Sequence, residues 1–515
     1  MLQMKGVELG VVRRHVSETS VSESVASYPE EENVKPWKMR QLDMCDQVLE
    51  ECGVGMFQVF ILVLCGLGYF VESAEYHLAS VLYPLFVDLW KVQETDLAVI
   101  SSLTSLGMMI GAIGFGRLSD VKGRKFVYQY SLLVSVLFGF LSSYGNDVTS
   151  FAILRFLMGI GYGGNLVSTT PYLMELTPSS YRQRITLFSF AAFAVGSLYI
   201  IAISWGFLSI IGWEWVVRIT SIVGLPVILG LFLVAPESIR FCVSVGRYED
   251  AVKGCRLLCK MNRCAVPTYF TVEKLRALED ESCEDHVELV TRRYNPLDSR
   301  LCGPEYVKIL LPLLLVWFLN AFALAMHSFM PLVLKLELGE QAGDSFQYQA
   351  MLAAQIGDFG GIVVLFCFFA ASRVSLIKEV RSGILAEGLC VLFLGIFPMK
   401  KFFALLMVGL GRTGTVAAMH GLYTYSPAMF PTSLRVSAFS YCQLAHRLAP
   451  VFSPYLFTML DEKISFSVTM FVFAAFFLAA AFIALFLKPE NINLNEESDF
   501  EREHRMVRLP TAGDV

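Results

Sequence analysis

The chain has 515 residues, 55% of them hydrophobic and 17% charged. Soluble domains carry about 25% charged residues, and a soluble core has no room for many apolar runs of about twenty residues, so an ordinary water-soluble protein is excluded. The net charge of −5 gives no sign of a nucleic-acid partner, and none is expected.

Residues 1–55 read as a polar tail. VSETSVSES and YPEEEN are poor in core-forming residues, which predicts disorder there. The first apolar run begins near residue 56, too far in for a signal peptide. Twelve apolar segments follow, near 56–82, 96–116, 126–144, 149–172, 185–210, 214–235, 306–334, 347–371, 376–397, 402–424, 435–460 and 465–487. About 20 apolar residues at 1.5 Å each cross the roughly 30 Å hydrocarbon layer. The interval 236–305 is polar and helix-compatible, with RYEDAVKGCRLLCK and VEKLRALEDE. The expected fold is an all-α membrane protein of twelve transmembrane helices in two six-helix bundles. Its expected parts are a tail (1–55), a first bundle (56–235), a linker (236–305), a second bundle (306–487) and a second tail (488–515).

Lys and Arg set the orientation. Arg117, Lys122, Arg124 and Lys125, then Arg182 and Arg184, the linker, Arg373, Lys378 and Arg381, and Arg435 fall on one side. Only Lys91, Lys335, Lys400, Lys401 and Lys463 fall on the other. Both tails and the linker are therefore expected in the cytosol. None of the twelve cysteines then lies in an external loop, so no disulfide framework is expected. CRLLCKMNRC places Cys255, Cys259 and Cys264 together. A metal site is conceivable there, but free reduced thiols are the simpler reading, and no metal or cofactor is assigned.

YLMELTPSSYR (Tyr172–Arg182) and YSPAMFPTSLR (Tyr425–Arg435) share Tyr, Pro and Arg at equal offsets, each after the fourth segment of its half. That pattern is expected of a duplicated six-helix unit.

The loop GRLSDVKGRK (Gly116–Lys125) resembles the signature of the major facilitator superfamily, G-x-L-x-D-x-x-G-R-K/R. Gly116 and Gly123 would permit a tight turn, while Asp120 and Arg124 would take opposite charges. APESIRF and GRYEDA resemble the motif that ends the sixth segment of sugar-porter and organic-ion branches. The resemblance implies a charged gate drawn from Asp120, Arg124, Glu175, Arg182, Glu237, Arg240 and Arg435.

DQVLEECGVGMFQ, GYFVESAEYH, WFLNAF, GDFGG and AHRLAPVFSP narrow the likeness to the synaptic vesicle two-related and organic-ion branch. Its bacterial relatives move nicotinate and aromatic acids, and its vertebrate cousins organic cations and anions. Two departures stand out. FFAASRVSLIKEVR lacks the Asp and Gly-Arg of a second signature loop, and Ala428 stands where the branch has Glu.

Ionisable residues inside apolar segments are costly and mark function. Glu72 and Glu75, three apart on a helix, are expected to share a face. With Asp358 they are the proton-coupling candidates. Arg447 matches a position of the branch tied to organic anions and is the leading substrate anchor, since a guanidinium can grip a carboxylate with two hydrogen bonds. Arg155 and Arg412 follow, each alternatively a structural partner for an interior acid. Asn165, Asn320 and Trp317, together with Glu72 and Glu75, complete the candidate substrate site.

The reading is a secondary transporter, not an enzyme. It moves a small organic ion by alternating access, with an aromatic or vitamin-like carboxylate such as nicotinate as first choice and a proton as co-substrate. The alternatives are a facilitative organic cation or sugar carrier, and a non-transporting sensor or vesicle protein on the same scaffold. The bilayer is the expected environment, of the plasma membrane or an organelle, and the expected state is a monomer.

Overall fold

The computed structural model describes residues 36–280, 301, 303–339, 345–371, 375–397, 400–430 and 432–487, and among them there is no strand. Helix α1 (Pro36–Cys52) precedes α2 (Met56–Trp90), α3 (Glu94–Lys122), α4 (Arg124–Leu141), α5 (Val148–Glu175) and α6 (Arg182–Ile211). The sixth crossing is split into α7 (Trp213–Ile222) and α8 (Leu225–Leu233). Three short helices occupy the linker: α9 (Ile239–Ser244), α10 (Tyr248–Asn262) and α11 (Val272–Asp280). The second half contains α12 (Pro304–Leu324), α13 (Met330–Leu338), α14 (Phe346–Ala371), α15 (Leu376–Ile396), α16 (Lys401–Ala428), α17 (Thr432–Lys463) and α18 (Phe466–Ala484).

Ten crossings are long and apolar enough to span a bilayer by composition. Helices α15 and α17 complete the twelve. Hydropathy underrates them because α15 carries Lys378, Glu379, Arg381 and Glu387, and α17 carries Gln443, His446 and Arg447 in mid-helix.

Two segments expected to be continuous are broken. Helix α8 has Pro226, and α13 has Pro331, within the first two helical positions. A proline there lacks only an N–H that would have no partner in any case, so it suits a restart. The first crossing instead overruns its expected end, passing through Pro84 to Trp90. Residues 36–52 of the expected tail are helical; VSETSVSES and YPEEEN lie outside the described residues.

Helices α3 and α5 approach until backbone meets backbone. A Cβ added at Gly107, Gly111, Gly159 or Gly163 would fall 2.2, 2.0, 2.4 and 2.0 Å from a carbonyl oxygen of the facing helix. Small residues permit such contact where no hydrophobic effect draws helices together. The equivalent pair in the second half, α14 and α16, repeats the device: a Cβ at Gly357 would lie 2.0 Å from the Gly409 oxygen. Gly68 serves likewise, since the Tyr128 hydroxyl occupies the space its side chain would fill and donates to the Leu64 carbonyl at 3.1 Å.

The two halves touch at the end away from the α3–α4 turn. There the rings of Tyr83 and Phe329 stack at 4.8 Å, and those of Trp205 and Tyr348 at 5.7 Å. The Thr95 amide donates to Glu462 at 3.0 Å, and the Ser197 hydroxyl to Gln355.

Candidate functional site

Most of the interior charges are paired within one half. Arg155 meets Glu75 at 2.7 Å, with both side chains 1% exposed, and the Ser221 hydroxyl also donates to Glu75. Arg412 grips Asp358 with two hydrogen bonds of 2.9 and 2.7 Å. His327 lies 2.6 Å from Glu387, and His420 3.0 Å from Glu379. Pairing of this kind is what makes a charge tolerable at bilayer depth.

Glu72 and Arg447 stand apart. Glu72 is 2% exposed, and both its oxygens are buried without a hydrogen-bond partner among the described residues. Arg447, from the opposite half, lies within electrostatic reach of it. Among the described residues, Arg447 donates to the Met108 sulfur at 3.9 Å, and its Nε is buried without a partner. Its side chain is half-buried although it sits in mid-helix. Glu72 and Glu75, expected to share a face, thus differ in their surroundings. The 60° between positions three apart sends Glu75 to Arg155 of α5 and Ser221 of α7 inside its own bundle, contacts that Glu72 does not share.

A narrow cleft with room for about 30 Å³ lies between the halves. Glu75, Arg155 and Tyr162 line it from one side, and Ala325, Ser328 and Pro454 from the other. Arg155 keeps Nε and Nη2 without partners and lies 5.0 Å from the centre of the Phe151 ring. The other candidates are buried and do not line this cleft. Trp317 donates to Ser426 at 2.8 Å, Asn320 donates to the Met419 sulfur at 3.5 Å, and Asn165 accepts from Thr169 at 3.1 Å.

At the other end of the first half, Gly123 alone forms the α3–α4 turn, at φ +113°. Gly116 was expected to share that turn but lies inside α3, because the helix continues to Lys122. A Cβ at Gly123 would fall 2.2 Å from Glu237 Oε2. Glu237 itself accepts from the Lys125 and Ser238 amides at 2.8 and 3.0 Å. Burial raises its carboxyl above the usual range, and these amides work against the shift. Arg124 bridges Asp120 at 2.6 Å and Glu175 at 3.3 Å.

The Major Facilitator Superfamily profile matches residues 65–426, a stretch that includes this loop. The chain belongs to the Major Facilitator Superfamily. Among relatives of this facilitator chain, the synaptic vesicle 2-related protein of Bos taurus is 26% identical over 489 residues, covering 90% of this chain and 84% of that one. The organic cation/carnitine transporter 7 of Arabidopsis thaliana is 24% identical over 444 residues, covering 79% and 87%. The fold is shared with the inward-open xylose transporter XylE of E. coli, with a TM-score of 0.66 and 17% identity over 85% of this chain and 98% of that one. It is a multi-pass membrane protein and a secondary transporter of the synaptic vesicle 2-related branch.

The remaining superfamily positions form a second charged cluster. Arg182 donates to the Met174 and Thr177 carbonyls at 3.1 and 3.3 Å, closing the end of α5, and reaches Asp46 at 3.2 Å. Arg240 holds the same Asp46 at 2.7 and 2.8 Å. Asp46 was not singled out from the sequence. The only signal for it was DQVLEECGVGMFQ, read as a mark of the branch rather than as a docking helix. The side chains of Arg435 and Ala428 lie outside the described residues.

Proposed function

We propose that the transported substrate is a small organic anion held by Arg447, with an aromatic carboxylate such as nicotinate as first choice, and that a proton moves with it. The observation carrying this reading is that no described carboxylate binds Arg447 and no described group binds Glu72, which lies within its electrostatic reach, whereas Glu75, Asp358, Glu379 and Glu387 are all paired. A substrate carboxylate and Glu72 compete for one arginine. Protonating Glu72 removes the competitor, so substrate and proton bind with mutual help, which is the coupling a symporter needs. Arg155 offers the substrate two unpartnered nitrogens, Nε and Nη2, with Tyr162 as an aromatic wall of the same cleft. The contact between halves at Tyr83–Phe329 and Thr95–Glu462 fits a state open towards the cytosol, with both tails cytosolic and Asp120, Arg124, Glu175 and Glu237 as the inner latch.

The test is uptake of labelled nicotinate into proteoliposomes with and without an inward proton gradient. Gradient-driven uptake lost in Arg447→Ala supports the reading; uptake unchanged by both the gradient and that substitution overturns it. A second reading, an organic cation or zwitterion, draws on the free Glu72 carboxylate and on the name of the Arabidopsis relative. It predicts uptake of carnitine that fails in Glu72→Gln.

A further inference from the structure

The linker cysteines gain a partner that their spacing did not supply. Cys52 ends α1, and its Sγ lies 3.6 Å from that of Cys259 on α10. The Sγ atoms of Cys52, Cys259 and Cys264 all lie within 4.8 Å of one another. Cys255 lies one helical turn before Cys259 on α10, and its sulfur falls outside this group of three. The backbone is bent to bring these thiols together. Arg263 takes the left-handed conformation at φ 56°, and the Cys264 amide returns to the Cys259 carbonyl at 3.0 Å. That turn folds Cys264 back over the last turn of its own helix. Gly53, at φ +62°, turns the chain immediately after Cys52. A non-glycine residue held left-handed costs about 1 kcal/mol or more, so the surroundings enforce this arrangement.

Thiolates at about 2.3 Å from a zinc ion in tetrahedral geometry lie about 3.8 Å apart. The observed separations need only a small contraction to reach that value. A disulfide would use two of these three sulfurs and leave the third idle. We propose that Cys52, Cys259 and Cys264 form a three-thiolate binding site for a soft thiophilic cation, Zn²⁺ or Cu⁺. Each thiol that ligates releases its proton to solvent. The ion staples α1 and the start of α2 to linker helix α10. Asn262 already bridges the same junction, accepting from the Phe57 amide and donating to Gln58, both at 2.9 Å. The site lies apart from Glu72 and Arg447, so its fate is independent of the transport reading.

The experiment uses the full chain, purified with reductant and stripped by chelator, then titrated with Zn²⁺ alone against a chromophoric chelator. One equivalent per chain is expected, weakened on the order of 100-fold in the double variant Cys52→Ser/Cys264→Ser. A parallel titration with Cu⁺ against bicinchoninate identifies the ion; retention of either one by these cysteines supports the site. Should the variant not fold, the wild-type chain still decides, because Zn²⁺ or Cu⁺ must slow maleimide labelling of Cys264 at least about tenfold if it ligates that sulfur. Substoichiometric binding of both ions, labelling indifferent to both, or a Cys52–Cys259 disulfide that forms instead would overturn the proposal.

Discussion

Arg240 holds both carboxylate oxygens of Asp46, at 2.7 and 2.8 Å, and so ties the first linker helix to the helix that precedes the membrane. Arg182 shares the same carboxylate, which makes Asp46 the point where α1, α6 and α9 are joined. The side chains are 28% to 34% exposed, which limits the direct gain to about 1 kcal/mol. Asp46→Ala is expected to loosen α1 without unfolding the bundles. Faster amide exchange confined to α1 and α9 is the expected readout; exchange spread through α2–α5 would contradict it.

Arg155 and Arg447 are expected to respond differently to the same truncation. Arg155→Ala leaves Glu75 buried at 1% exposure with a missing partner, and loss of one member of a buried pair costs about 3–5 kcal/mol. Thermal unfolding of this variant falls sharply whether or not ligand is present. Arg447→Ala removes a group with no carboxylate bound to it, so the melting temperature of the free protein changes little. What disappears is the extra stabilisation by substrate, read in a thermal-shift series with organic acids.

Two glycines on facing helices provide a packing test. A Cβ at Gly163 would lie 2.0 Å from the Met108 carbonyl, whereas one at Gly116 meets Val167 at an ordinary 3.5 Å. Gly163→Ala is expected to destabilise by about 1–3 kcal/mol, because backbone must move. Gly116→Ala is expected to be close to neutral. Denaturation of both in the same detergent compares them directly.

Acid should release α1 through Glu50. Its carboxylate accepts from the Ser179 hydroxyl at 2.5 Å, and from the Ser180 amide and hydroxyl at 3.2 and 3.0 Å. The Ser179 hydrogen bond leads in lowering its pKa below the usual glutamate value. The folded value lies below the unfolded one, so the contribution is complete above roughly pH 4.3 and is lost as pH falls through the lowered value. Amide exchange in α1 should therefore rise in that acid window for the native chain. A Glu50→Gln variant should lose this pH dependence.

Much of the architecture was legible before any coordinates. Runs of twenty apolar residues have few alternatives to crossing a bilayer, because backbone hydrogen bonds must close within the segment. The expected order of twelve crossings therefore stands, and the motif GRLSDVKGRK was enough to suggest the superfamily. Errors fell at the ends and breaks: α2 overran to Trp90, the sixth and seventh crossings restarted at prolines, and α1 lay in the stretch read as a tail. These depend on local backbone choices and on docking, to which hydropathy is blind.

The sequence alone determined which residue types sit at membrane depth: Glu72, Glu75, Asp358, Arg155, Arg412 and Arg447, each costly enough in hydrocarbon to require a reason. Only the tertiary structure decided their partners. Arg155 went to Glu75 and Arg412 to Asp358, while Glu72 and Arg447, one from each half, were left without an ion-pair partner among the described residues. The physical reason is that pairing depends on helix rotation and crossing, set by glycine contacts between helices far apart in the chain. The convergence of Cys52 with Cys259 and Cys264 was decided in the same way, by two left-handed turns and the docking of α1.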